Sequence, residues 1–141
     1  MFRRSLVLAS FVVMCAGAAS AATVKFHATL TPAAEAPPTT STGSGDATVS
    51  LDTVTHEITY DVTFQGFASD VTAAHIHGPA AAGKNAGVVV PLGSAPKSPI
   101  HGSAKLTPEQ QEQLTAGMYY VNIHSKNNPS GAVRGQLTQV K

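Results

Sequence analysis

In EITYDVTF, residues 57–64, apolar and polar side chains alternate without a slip. Ile58, Tyr60, Val62 and Phe64 fall on one face, and Glu57, Thr59, Asp61 and Thr63 on the other. A period of two is what a strand with one face in a core and one in water requires. It does not fit a helix, whose apolar positions recur every three or four residues. The same alternation runs from residue 23, with Val24, Phe26, Ala28 and Leu30 set against Lys25, His27 and Thr29. Further strands are expected around 45–51, 71–77, 87–91, 99–106, 118–124 and 132–139, most of them separated by Gly, Pro, Asn or Asp. About eight short strands punctuated in this way predict an all-β fold, an antiparallel Greek-key β-sandwich. One segment departs from the pattern. In TPEQQEQLTAG, Thr107 can cap a helix, Pro108 suits its first position, Gln110 completes a capping box and Gly117 can end it, so one short helix is expected. The proline-rich TPAAEAPPTTSTGSG reads as an extended surface loop.

The N-terminus has a different character. Arg3 and Arg4 precede the apolar run SLVLASFVVMCAGA, and Ala19-Ser20-Ala21 has the small-x-small form that signal peptidase cuts. Residues 1–22 are therefore expected to be a cleaved signal peptide and 23–141 a single exported domain, periplasmic or secreted. The apolar run is shorter than the ~20 residues of a membrane-spanning helix, so no membrane span is expected. Cleavage removes Cys15, the single cysteine, so the mature chain has no disulfide. It also removes two arginines, taking the formal charge from +1 to −1. No basic patch remains to recruit nucleic acid.

The chemistry-bearing residues are histidines. In TAAHIHGP, residues 72–79, Ala74 and Ile76 should face the core, so His75 and His77 project together from the other face. In YVNIHS, Val121 and Ile123 should face inward, while Asn122 and His124 face out. If the two strands are neighbours, His75, His77 and His124 form a three-nitrogen cluster with ring nitrogens within about 5 Å of one another. Imidazole suits copper, zinc, nickel and iron, and an all-imidazole set in an oxidising compartment points first to copper and second to zinc. The competing reading is that these rings are solvated or bond loop carbonyls. His101 is a candidate fourth ligand, with a plain surface position as the alternative. His27 and His56 read as surface residues. Asn122 is a candidate second-layer partner of His124, or of the turn that follows it. Arg134 could guide an anion to the metal, or pair with a carboxylate or cap loop carbonyls. The chain has no G-x-S-x-G elbow, P-loop, glycine-rich dinucleotide fingerprint or C-x-x-C, and its eight carboxylates are scattered, so no catalytic residue is assigned.

The order of the segments ATLTPAAEAPPTTSTGSGDATVSLD, ITYDVTFQGF, VTAAHIHGPAAAGKNAGVVVPL and LTAGMYYVNIHSKNNPSGAVRGQL resembles the chordin-type (CHRD) domain. The likeness covers about residues 24–139, and His75, His77 and His124 match the family's motif histidines. That family includes domains of the signalling antagonist chordin and exported single-domain microbial proteins, mostly of unknown role. The resemblance therefore implies export and a fold but no catalytic set. A weaker similarity is to copper/zinc superoxide dismutases, Greek-key sandwiches with an H-x-H strand on copper and an arginine before the last strand, the place of Arg134 in GAVRGQL. Unlike them, this chain has no disulfide and no closely spaced histidines and aspartate after His77 to make a zinc loop.

Overall fold

The computed structural model describes residues 22–141. The signal-peptide features at Arg3, Arg4, Cys15 and Ala19 to Ala21 lie outside the described residues. The strands are β1 (Thr23–Leu30), β2 (Ser44–Asp52), β3 (Glu57–Gln65), β4 (Val71–His77), β5 (Val88–Ser94), β6 (Ile100–Lys105), β7 (Tyr120–Ser125), β8 (Val133–Gln136) and β9 (Thr138–Gln139). One α-helix, α1 (Pro108–Thr115), lies between β6 and β7. They form two antiparallel sheets packed as a sandwich, a five-stranded sheet in the order β6-β3-β2-β1-β9 and a four-stranded sheet in the order β5-β4-β7-β8.

The alternation read from the sequence sets the core. Phe26, Leu30, Val49, Leu51, Ile58 and Val62 of the larger sheet are at most 1% exposed, as are Ala74, Ile76, Val121 and Ile123 of the smaller one. The β2–β3 hairpin is closed by Asp52, whose Oδ1 accepts from the amides of Val54 and Thr55, each at 2.9 Å. The helix begins as expected: Thr107 Oγ1 accepts from the Gln110 amide at 3.1 Å, and Gln110 Oε1 accepts from the Thr107 amide at 2.8 Å. It carries the chain from β6 in one sheet to β7 in the other and buries Leu114 beneath it.

The structure differs from the expected single strand over 132–139. That segment is two strands on different sheets, β8 beside β7 and β9 beside β1. Leu137 stands at the switch, fully buried, with its amide donating to the Tyr119 carbonyl at 2.9 Å. The strand changes sheets there because β8 closes tightly over the end of β1. Thr31 and Arg134 exchange backbone hydrogen bonds of 2.9 and 3.1 Å, and a Cβ on Gly135 would collide with the Thr29 carbonyl. At the far edge of the smaller sheet, β5 carries the exposed Pro91 opposite His75.

Phe26→Ala should lower unfolding free energy by about 3–5 kcal/mol in urea denaturation, the usual cost of emptying a buried aromatic site. Gly135→Ala should cost about 1–3 kcal/mol by forcing the two sheets apart. Val54→Ala, at an exposed position, should stay within about 0.5 kcal/mol of the parent.

Candidate metal centre

β4 and β7 are neighbours, and their register is the reason the histidines meet. His75 lies opposite Asn122, Ala73 opposite His124 and His77 opposite Tyr120. With Ala74, Ile76, Val121 and Ile123 facing the core, the alternate side chains all rise from the outer face of the smaller sheet. The register of β4 shifts between Val71 and Ala73 against β7 and at two places against β5, so the histidine strand departs locally from regular pairing.

One ring nitrogen from each of His75, His77 and His124 lies within 4.8 Å of the others, a group that could hold a metal ion. His75 Nδ1 and His124 Nε2 are 3.0 Å apart. The other nitrogen of His124 is 2.9 Å from the Pro129 carbonyl. A carbonyl only accepts, so His124 carries its proton on Nδ1 and turns the Nε2 lone pair to the cluster. His77 is held similarly, with Nδ1 3.0 Å from the Ala86 carbonyl, which accepts from it when the ring carries its proton there. Metal-binding imidazoles characteristically carry such a second bond, which fixes both tautomer and ring orientation.

The surroundings are less exposed than outward-facing side chains would suggest, because two loops cover this face. Asn122 is 4% exposed, and its side chain reaches His77 rather than His124 or the following turn: Oδ1 lies 3.1 Å from His77 Nε2, and Nδ2 donates to Glu35 Oε1 at 3.4 Å. Glu35 comes from the proline-rich loop and is itself buried. The sequence reading missed it. The only available signal was a lone acid amid alanines and prolines, and nothing local shows that the loop folds over β7. Burial pushes the Glu35 carboxyl above its ordinary 4.5, against the opposing pull of Asn122 and Arg134. Gly131 makes room for this pair, since a Cβ there would stand 2.6 Å from Glu35 Oε1 and 2.7 Å from Asn122 Nδ2.

Arg134 is 1% exposed. Its guanidinium lies 3.4 Å from the centroid of the Tyr120 ring, and that ring stacks in turn on His77 at 5.0 Å. It donates to Asn85 Oδ1 at 3.2 Å and to the Ala81 carbonyl at 3.4 Å. Of the roles considered for it, these contacts fit the capping of the loop over residues 81–85. Beside it the two loops frame an open groove of about 660 Å³ with Glu35 in its wall. His101 is not brought to the cluster. It lies on β6 of the other sheet, with Nδ1 2.8 Å from Asp61 Oδ2, because its strand crosses back before the helix. His27 pairs with Asp46 at 3.0 Å, and His56 meets Gln111 at 2.8 Å.

Burial, followed by the nearby His124 and His77 rings, holds His75 below its ordinary 6.5. Burial also leaves His77 below that value, against the Ala86 and Asn122 oxygens, which favour the protonated ring by accepting from it. Both rings therefore favour the neutral, ligand-competent form. Below pH 6.5 the unfolded chain binds more protons at these positions than the folded one, so the metal-free protein should lose stability as pH falls through that range. Glu35, raised, acts with the opposite sign in the range above its ordinary 4.5. Ring-nitrogen NMR titration should give midpoints below 6.5 for His75 and His77, and midpoints at or above it would show that the rings are not desolvated.

No curated protein sequence and no solved structure matches the chain. The CHRD domain family model matches residues 26–137. That span runs from the first strand to the sheet switch at Leu137 and holds every member of the histidine cluster, so the chain belongs to the CHRD domain family.

Proposed function

We propose that this chain is an exported metal-binding CHRD-domain protein of the periplasm or cell exterior, with copper as its metal and zinc as the second choice. The observation that carries the proposal is the convergence of His75, His77 and His124, two of them tethered to loop carbonyls in the manner of metal-binding imidazoles. Three neutral nitrogens with no thiolate among residues 22–141 suit copper and zinc. The amino-terminal sequence supports export. Metal analysis of protein purified from its native compartment, without a histidine-rich tag, should find close to one equivalent of metal per chain. Replacing His75, His77 or His124 by Ala should weaken Cu(II) binding by orders of magnitude, and His101→Ala should leave it unchanged.

A second reading is favoured by the same tethers. His77 and His124 each bond a loop carbonyl without any ion, as in an envelope module whose histidines only close its loops. Metal-free native protein, with alanine variants that lose thermal stability alone, would favour that reading. A dismutase-like enzyme is the least supported. Arg134 is the only arginine of residues 22–141, and it is buried under a loop. Copper-loaded protein should therefore dismutate superoxide far below the diffusional ceiling of about 10⁸–10⁹ M⁻¹s⁻¹, as measured by pulse radiolysis.

A further inference from the structure

We propose that the side-chain oxygen of Asn122 is a fourth metal ligand, completing a three-nitrogen, one-oxygen set, and that Glu35 is the positioning residue that aims it. This rests on the reading of the histidine triad as a metal site. The argument begins with what each polar atom can do. A carboxylate accepts and does not donate, so the atom of Asn122 facing Glu35 Oε1 is the Nδ2 donor, at 3.4 Å. The amide oxygen is then obliged to face the other way, 3.1 Å from His77 Nε2. A neutral imidazole has one N–H while His77 faces an oxygen on each side, so with the proton on Nδ1 against the Ala86 carbonyl at 3.0 Å the Nε2 atom offers only its lone pair. Two acceptor lone pairs are thus left pointing at each other in a pocket where Asn122 is 4% exposed. Such a contact is repulsive unless a cation sits between the atoms, either a second proton on the ring or a metal ion bound by both.

The spacing fits the metal. Two donors each about 2.1 Å from one ion stand about 3.0–3.4 Å apart, for angles between a right angle and the tetrahedral one. The pair Asn122 Oδ1 and His77 Nε2 is at 3.1 Å, and the pair His75 Nδ1 and His124 Nε2 is at 3.0 Å. Asn122 also lies directly across the ladder from His75, between the strand positions that carry the other two rings. Glu35, Asn122 and Gly131 come from three separate segments, and the bare Cα of Gly131 is what admits the pair. A neutral amide oxygen is a hard donor, so the site should prefer Cu(II) or Zn(II) to Cu(I).

The test uses the untagged domain with Cu(II) alone for affinity and electron paramagnetic resonance, and Zn(II) alone for a crystal structure. Asn122→Ala should weaken Cu(II) binding at least tenfold, change Cu(I) affinity less, and shift the Cu(II) hyperfine splitting. The double variant Glu35→Gln, Asn122→Asp keeps an oxygen facing His77 and moves the amide donor to position 35, so it should bind Cu(II) at least as tightly as the parent, which covers the case in which the alanine variant folds poorly. In the Zn(II) structure Oδ1 should be about 2.0–2.2 Å from the ion. A structure with zinc on three imidazoles and Oδ1 beyond about 3 Å would overturn the proposal, as would an Asn122→Ala spectrum identical to the parent's. In either case the triad would still stand, provided His75→Ala loses the metal. A parent protein that takes up neither ion would remove the triad itself, and this proposal with it.

Discussion

The ladder between β4 and β7 is the constraint on which the rest of the outer face depends. Its register pairs Ala74 with Ile123 and Ile76 with Val121 on the core side, which sends His75, His77, Asn122 and His124 outward together. A slip of one residue would bury the imidazoles and expose the aliphatic side chains, so the energy that fixes the core also fixes the cluster. Four buried apolar side chains, each contributing on the order of 1–3 kcal/mol, outweigh any preference the histidines have of their own. The site is positioned by packing on the opposite side of the sheet.

Above that ladder the polar side chains form a second ordered layer. Tyr120, from the central strand β7, is flanked by His77 from β4 on one side and by Arg134 from β8 on the other. The Tyr120 hydroxyl donates to the Ala86 carbonyl at 3.3 Å and accepts from the Ala86 amide at 3.1 Å, while the same carbonyl takes the His77 proton. One loop residue thus ties down a ring of the cluster and the tyrosine on which that ring stacks. The proline-rich loop covers the layer from the other direction, with Glu35 on Asn122 and the Ala36 carbonyl accepting from Asn85 at 2.8 Å. Two loops that look featureless in sequence become the roof over the histidines.

That contrast explains what was legible in the sequence. The strands around His75 and His124, the direction of those rings and the capped helix follow from local periodicity and local hydrogen bonding, which act over a few residues. The adjacency of β4 and β7 stays conditional at the level of sequence, since strand order is set by long-range packing that no spacing records. Glu35 is invisible in the sequence because its partner Asn122 lies 87 positions away. His101 shares the outward phase of the other histidines, but periodicity reports a face and not a sheet. The two-strand C-terminal segment looks like one strand in sequence because Leu137 is simply the next apolar residue, and the corner it turns is imposed by β8 closing over β1.

The edge of the smaller sheet also bears on how such a domain persists at high local concentration. An open strand beside a rigid ladder is a template on which further chains can add. Here β5 carries Pro91, which has no amide hydrogen to offer, and its pairing with β4 is broken by two irregularities of register. An incoming strand would find a gapped row of donors and a kinked backbone, so growth of a fibre from this edge is disfavoured without any covalent lock. The proline sits opposite His75, so the break in the edge lies beside the strand that carries two of the histidines.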